Sequence, residues 1–259
     1  MSFTIRNNWL GLKGSNQIDK AWEYTMRSLE RLSTGMKINR ASDSPAGLMI
    51  SEQLRSRIAS LNQEIDNTSA LINKYQTASS TVSEGRSLLT EVRTLAVGAA
   101  NSGGNDEASQ AAWATTADHV VNQYNRVIET ASYNGHALFD GSEQAVAEIS
   151  GLSDIDLSTA EAAEASIGKI DSAMAELDSV QGELGATQRY ELEARRESLQ
   201  ITAQNLQAAE SVLRDTDYAK EFSNFVAGSI QLRASVALMS HSFLTAKNTL
   251  NLLQMSINS

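Results

Sequence analysis

The residues best suited to acid–base or metal chemistry are three histidines, His119, His136 and His241, and they are scattered along the chain. None of the three has the His-Glu-x-x-His spacing or the i,i+4 histidine pairing of a zinc site. There is no Gly-x-Ser-x-Gly elbow, no P-loop and no Gly-x-Gly-x-x-Gly turn. Cysteine is absent, which excludes disulfides and thiolate metal sites. Asp215, Asp217 and Glu221 crowd a helix bend and could hold a cation, but a short acidic cluster of this kind is more commonly structural. Asn67-Thr68-Ser69 fits a glycosylation pattern yet lies inside a helical run. No catalytic residue, metal or cofactor is therefore expected.

What the sequence does carry is patterned apolar surface. From Phe222 to Ile257, alternating steps of three and four visit Phe222, Phe225, Ser229, Leu232, Val236, Met239, Phe243, Ala246, Leu250, Leu253 and Ile257. All but Ser229 are apolar, which is the seam of a helix packed lengthwise on another. At about 1.5 Å per residue the rod is roughly 50 Å long. Ile230, Ala237 and Leu244 form a second apolar row, and Leu238 and Leu252 a third. A helix apolar nearly all round is buried on most of its surface. One partner helix cannot cover three rows, so this rod sits in a large core or is buried by other copies of the molecule.

The N-terminal segment is a suitable partner: Ile5, Trp9 and Leu12 have helical spacing, continued by Ile18, Trp22, Leu29 and Leu32. It ends near Gly35, and Ser44 with Pro45, the one proline, opens the next helix. That helix runs to about Ala100 through Leu54, Ile58, Leu61, Ile65, Ile72 and Val82. A third spans about Asp106 to Ala131 and ends at the turn Tyr133-Asn134-Gly135. Residues 138–158 read as a short β-hairpin or a loop, with Val146, Ile149 and Ile155 as its apolar positions. Ser158-Thr159 then begins a helix that continues past Gly182 and Gly185 to about Arg214.

The expected fold is mostly α: a long-helix coiled-coil bundle with paired N- and C-terminal helices and a short β-hairpin or loop region. The expected segments are 1–44, 45–214 and 215–259. A formal charge of −10 argues against nucleic acid, and no run of 18 apolar residues suggests a membrane span. Met1 to Lys20 has no uninterrupted apolar core, so no secretory signal peptide is read there.

Two stretches then narrow the class. Leu29–Glu52, with Glu30-Arg31-Leu32-Ser33-Thr34-Gly35, Asn39-Arg40-Ala41-Ser42-Asp43 and Ala46-Gly47-Leu48, resembles the N-terminal signature of bacterial flagellins. Asn205–Glu221, with Ala208-Ala209-Glu210-Ser211 and Arg214-Asp215-Thr216-Asp217, is similar to their C-terminal signature. Val92-Arg93-Thr94-Leu95 and Tyr133-Asn134-Gly135 match two further blocks, in the family order. The departures are Trp9 and Trp22 near the N-terminus, and Ala227 to Ser259, which keep the pattern but little of the common sequence.

The resemblance implies a structural subunit that self-assembles head-to-tail into the flagellar filament for motility. The terminal helices, 1–44 and 215–259, would form the inner tube, and 45–214 the outer helical bundle without the large variable domain. The assembly interface would comprise Ile5, Trp9, Leu12 and Leu32, together with the C-terminal rows through Phe222, Ile230, Leu238 and Leu252. Arg31, Arg40 and Asp43 would form intersubunit or hinge salt bridges. Expected partners are other copies of the chain, the flagellar export apparatus and an export chaperone, and the filament cap and hook–filament junction proteins. The location would be extracellular, reached without a cleaved signal peptide. The block contacted by the vertebrate flagellin receptor maps to Glu91, Arg93 and Leu95, where Glu91 reverses a usual basic charge and weakens recognition. The alternatives are a junction protein of the same family and a secreted coiled-coil protein that never polymerises. The entropy of ordering the long rod, on the order of 1–2 kcal/mol per residue, also predicts that both termini fold only on assembly.

Overall fold

The computed structural model describes residues 9–101, 103–104, 106–142 and 145–257. Its elements are α1 (Trp9–Thr34), α2 (Pro45–Ala99), α3 (Glu107–Thr130), β1 (Ser132–Tyr133), β2 (His136–Ala137), α4 (Ala160–Ala186), a π-helical stretch (Thr187–Glu193), α5 (Ala194–Arg214) and α6 (Tyr218–Ile257). They form two compact units, one of residues 60–203 and one of residues 1–59 with 204–259.

Local chemistry sets the helix ends. Gly35 takes φ +72° and its N–H returns 2.9 Å to the Arg31 carbonyl, so α1 stops where a residue without a side chain takes a left-handed turn. Ser44 caps α2 by accepting from the Gly47 N–H at 3.1 Å. Asp106 and Thr159 cap α3 and α4 in the same way, through Ser109 and Ala162.

In the 60–203 unit the core is closed. Val82, Leu89, Val92 and Ala96 of α2 are buried with Tyr124 and Ile128 of α3 and Ile170, Leu177 and Leu184 of α4. The strands lie earlier than the expected hairpin: β1 and β2 pair Ser132 with Ala137 and Tyr133 with His136 around the left-handed Asn134-Gly135 turn. The described residues of 138–158 form no regular strand; Asp140 bridges Glu148, and the N–H groups of Val146 and Ile149 donate to the carbonyls of Leu138 and Phe139. They still contribute Leu138, Phe139, Ile149, Leu152 and Leu157 to the core. Side chains supplement these few backbone bonds. The Asn125 amide exchanges two 2.8 Å hydrogen bonds with the backbone of Leu152, and Gln110 donates to the carbonyls of Ala99 and Leu157. Buried backbone needs such partners, and a strand was not required to supply them.

The π-helical stretch explains why α4 and α5 keep the same face inward. Buried Leu184 is followed eight residues later by buried Leu192, one more than a regular two-turn repeat supplies. The wide turn takes up the extra residue.

Candidate assembly interface

In the unit formed by 1–59 and 204–259, α1 and α6 pair along their lengths. The pairing is antiparallel: Gly14 lies against Met239, Thr25 and Tyr24 against Gly228, and Arg31 against Glu221. The buried positions are mostly small or polar, namely Ala21, Thr25 and Ser28 of α1 with Glu221, Gly228 and Ser235 of α6. Phe225, Leu232 and Met239 are half-buried between them.

This shifts the seam expected from the sequence. Phe225, Leu232 and Met239 do face α1, but Phe222, Val236 and Phe243 turn outward, their places taken by Glu221, Ser235 and Ser242, with Gly228 in that of Ser229; Leu250 is exposed as well. Small side chains allow the backbones to approach closely. A Cβ on Gly228 would stand 2.7 Å from Thr25 Oγ1. Bulky residues at those positions would hold the helices apart, so they lie beside the contact. Ile230 (62% exposed), Leu238 (71%) and Leu244 (58%) complete a helix whose large apolar side chains face outward on most of its circumference. On α1, Trp9, Leu12, Trp22 and Leu29 are exposed as well, while Ile18 and Leu32 are half-buried. Ile5 and the side chains of Leu252, Leu253 and Ile257 lie outside the described residues.

The linkers meet beside the end of this pair. Met36 bridges Asp215, Lys37 N–H donates to the Arg214 carbonyl at 2.6 Å, and Thr216 N–H to that of Gly35 at 2.9 Å. Arg214 reaches Glu52 at 2.8 Å, and that hydrogen bond holds the Glu52 carboxyl below its usual range. Ile38 is the buried anchor of the 35–44 turn. The three charged residues singled out in the sequence act within the chain here. Arg31 stands 3.7 Å from Glu221, and Arg40 pairs with Glu30 at 2.8 Å. Asp43 accepts the backbone N–H groups of Arg40 and Asn39, and chiefly the first keeps its pKa low. The acidic cluster is dispersed by the fold: Asp217 caps α6 through Ala219 and Lys220, Asp215 accepts from Ser211, and Glu221 faces α1. Among the described residues no group of three metal-ligating side chains occurs, and no helix is long and apolar enough to cross a membrane.

In the other unit, Glu91 is exposed, Arg93 is tied to Asp171 at 2.7 Å, and Leu95 packs half-buried against the core.

Comparison with known proteins decides what kind of subunit carries such a surface. The profile of the bacterial flagellin N-terminal helical region matches residues 5–144, and that of the C-terminal helical region residues 167–253. The chain belongs to the bacterial flagellin family. It is 34% identical to a flagellin of Halalkalibacterium halodurans over 88% of this chain and 91% of that one. It is 30% identical to the flagellar filament 31.3 kDa core protein of Treponema maltophilum, over 88% and 92% of the two chains. With the flagellin of Bacillus subtilis it shares 27% identity over 96% and 99%. This flagellin is the short form, without a large outer domain, and it is a structural subunit of the flagellar filament rather than an enzyme. Periodicity alone missed Gly228, Ser235 and Glu221; the signal for the first two was the seven-residue recurrence of small residues one position before the apolar seam, and Glu221 had none.

Proposed function

We propose that the outward rows of α1 and α6 are the surfaces through which copies of this flagellin polymerise. The observation that carries the reading is the exposure of Phe222, Ile230, Leu238, Leu244 and Met255 on a helix whose contact with α1 uses small side chains. Monomeric proteins rarely leave apolar patches of this extent wet. Covering them with α1 and α6 of neighbouring copies, by contacts that do not close on themselves, generates a helical filament. Residues 1–44 and 215–259 would then line the inner tube and 45–214 the outer layer. This division by role differs from the division by compactness, which groups 45–59 and 204–214 with the terminal helices.

Isolated, the α1–α6 pair buries too little apolar surface to offset the ordering of two long helices, so it is firm only in the polymer. Hydrogen exchange tests this: Val236 and Leu250 should exchange far faster than Ile58 in the monomer and become protected in filaments. Equal protection of all three in the monomer would remove the basis for the reading. The polymer would lie outside the cell, reached through the flagellar export apparatus with an export chaperone and without a cleaved signal peptide. It would be bounded by cap and hook–filament junction proteins.

Weak activation of the vertebrate flagellin receptor is also part of this reading. Glu91 reverses the charge expected of a contact residue, and charge mismatch in an interface costs several kcal/mol by order of magnitude. Arg93 stays exposed but is already paired with Asp171, and Leu95 is partly buried, so both offer less to a receptor. Glu91→Arg should raise the response of receptor-bearing cells; an unchanged response would refute the assignment.

A further inference from the structure

The buried face of α6 nearly repeats itself. Phe225 with Gly228, Leu232 with Ser235, and Met239 with Ser242 are three large–small pairs at seven-residue intervals. A slide of α6 along α1 by seven residues, about 10 Å, would present α1 with a similar surface. Packing of this kind specifies a face and leaves the axial register weakly determined.

Two features break the repeat. Where the pattern calls for a fourth small residue stands Glu221, 7% exposed, with its carboxylate 3.7 Å from Arg31. Arg31 Nε is buried without a hydrogen bond, and the Glu221 contact is that side chain's one salt bridge among the described residues. Asn224 adds a 3.3 Å hydrogen bond to the same carboxylate oxygen. The second feature is Gly228, whose missing Cβ accommodates Thr25 and Tyr24; after a slide, Ser235 or Glu221 would meet them instead.

We infer that the Arg31–Glu221 pair is a register lock, selecting one axial alignment of the terminal helices from a set that apolar packing leaves nearly equivalent. Glu221 is buried and Arg31 partly so; such a pair adds little net stability when apolar residues of similar volume could replace it, but separating its members leaves the buried carboxylate uncompensated. That asymmetry suits alignment: the cost falls on the wrong registers. The role deepens the filament reading, on which its biological consequence rests, because every copy must present its outer rows at the same height for a regular polymer to grow. The backbone bridge at Gly35 and Thr216 restrains the same alignment from the linker, so the experiment must separate the two.

The absence of cysteine makes disulfide reporters clean. A Cβ at position 14 would lie 3.7 Å from Met239 Cβ, within the range a disulfide spans, so Gly14→Cys with Met239→Cys reports the observed register. Ala21→Cys with Met239→Cys reports a seven-residue slide. In the otherwise unchanged chain only the first pair should close within one molecule, scored by mass after oxidation of filaments. With Arg31→Met and Glu221→Leu, which leave the linker bridge intact, the preference for the first pair should fall at least about tenfold. The exchanged pair Arg31→Glu with Glu221→Arg should restore it. If the apolar variant still closes only the first pair, the linker sets the register and the inference is overturned. Loss of closure at both pairs in the apolar and exchanged variants alike would overturn it too, assigning these residues to folding of the helix pair. The ratio is read in filaments, where the helix pair is firm; failure of the unsubstituted chain to polymerise would overturn the filament reading and this inference with it, whereas filaments of the apolar variant that still close only the first pair overturn this inference alone.

Discussion

The two compact units solve opposite problems with the same secondary structure. Residues 60–203 carry 22 Asp and Glu against 8 Lys and Arg, and their large apolar residues are turned into a closed core. Residues 1–59 and 204–259 carry 9 against 13, and many of their large apolar residues face outward. A strongly acidic exterior around a finished core keeps copies apart and hydrated. A mildly basic unit with bare apolar rows is suited, on the proposed reading, to complete its core against its neighbours. The difference shows that a helix pair can meet through its smallest side chains while its largest stay on the outside.

The sharpest way to break this comparison is a charge on each kind of surface. Leu244→Asp places one on an outward row of α6, and we expect loss of seeded polymerisation with the monomer's circular dichroism unchanged. Filaments assembling at the usual protein concentration would show that this row is not buried between copies. In the acidic unit the effect should be reversed in kind. Leu89 is fully buried, so Leu89→Ala should destabilise residues 60–203 by about 2–5 kcal/mol, read by chemical denaturation. A change below about 1 kcal/mol would mean the core is less tightly closed than its burial implies.

Alkaline titration sharpens the same contrast. Burial, with a smaller contribution from Glu176, pushes the Tyr124 hydroxyl from 10.0 up to about 12. Because the folded pKa is raised, this stabilisation is complete below about pH 10 and is lost as pH rises through that window. The loss should reach about 2–3 kcal/mol, and Tyr124→Phe should remove that part of the pH dependence. An identical alkaline profile for the phenylalanine variant would exclude Tyr124 as its source. The smallest effect is expected at the seam. Gly228→Ala brings a Cβ to 2.7 Å from Thr25 Oγ1, partly offset by alanine's better helix propensity, for a net loss of about 1 kcal/mol in the α1–α6 pairing. The critical concentration for assembly should rise while the melting of residues 60–203 stays unchanged; no rise would mean the helices have room to spare at this crossing.

Much of the fold was legible in the sequence because its boundaries are set by local chemistry. Gly35 must end a helix where a left-handed residue is needed, Ser44 and Pro45 must begin one, Asn134-Gly135 must turn, and Thr159 must cap. Each acts within about four residues, so no long-range information was required. The long period-seven rows likewise declared that the terminal helices pair and that one partner cannot cover them. Residues 138–158 were less legible, because Leu152 and Leu157 have backbone groups bonded by Asn125 and Gln110, side chains of α3 whose role leaves no trace in the segment itself.

The sequence by itself thus determined the helices, their ends, the family and the surplus of apolar surface. Only the tertiary structure decided which side of α6 faces α1. Neighbouring residues on a helix differ by about 100° in direction, so rows beginning at Phe222 and at Glu221 are adjacent stripes of one surface. Hydrophobicity favours the first as the buried stripe. Close approach of two backbones favours the second, through Gly228 and Ser235, and that choice depends on the residues Thr25 and Tyr24 that α1 brings to meet them.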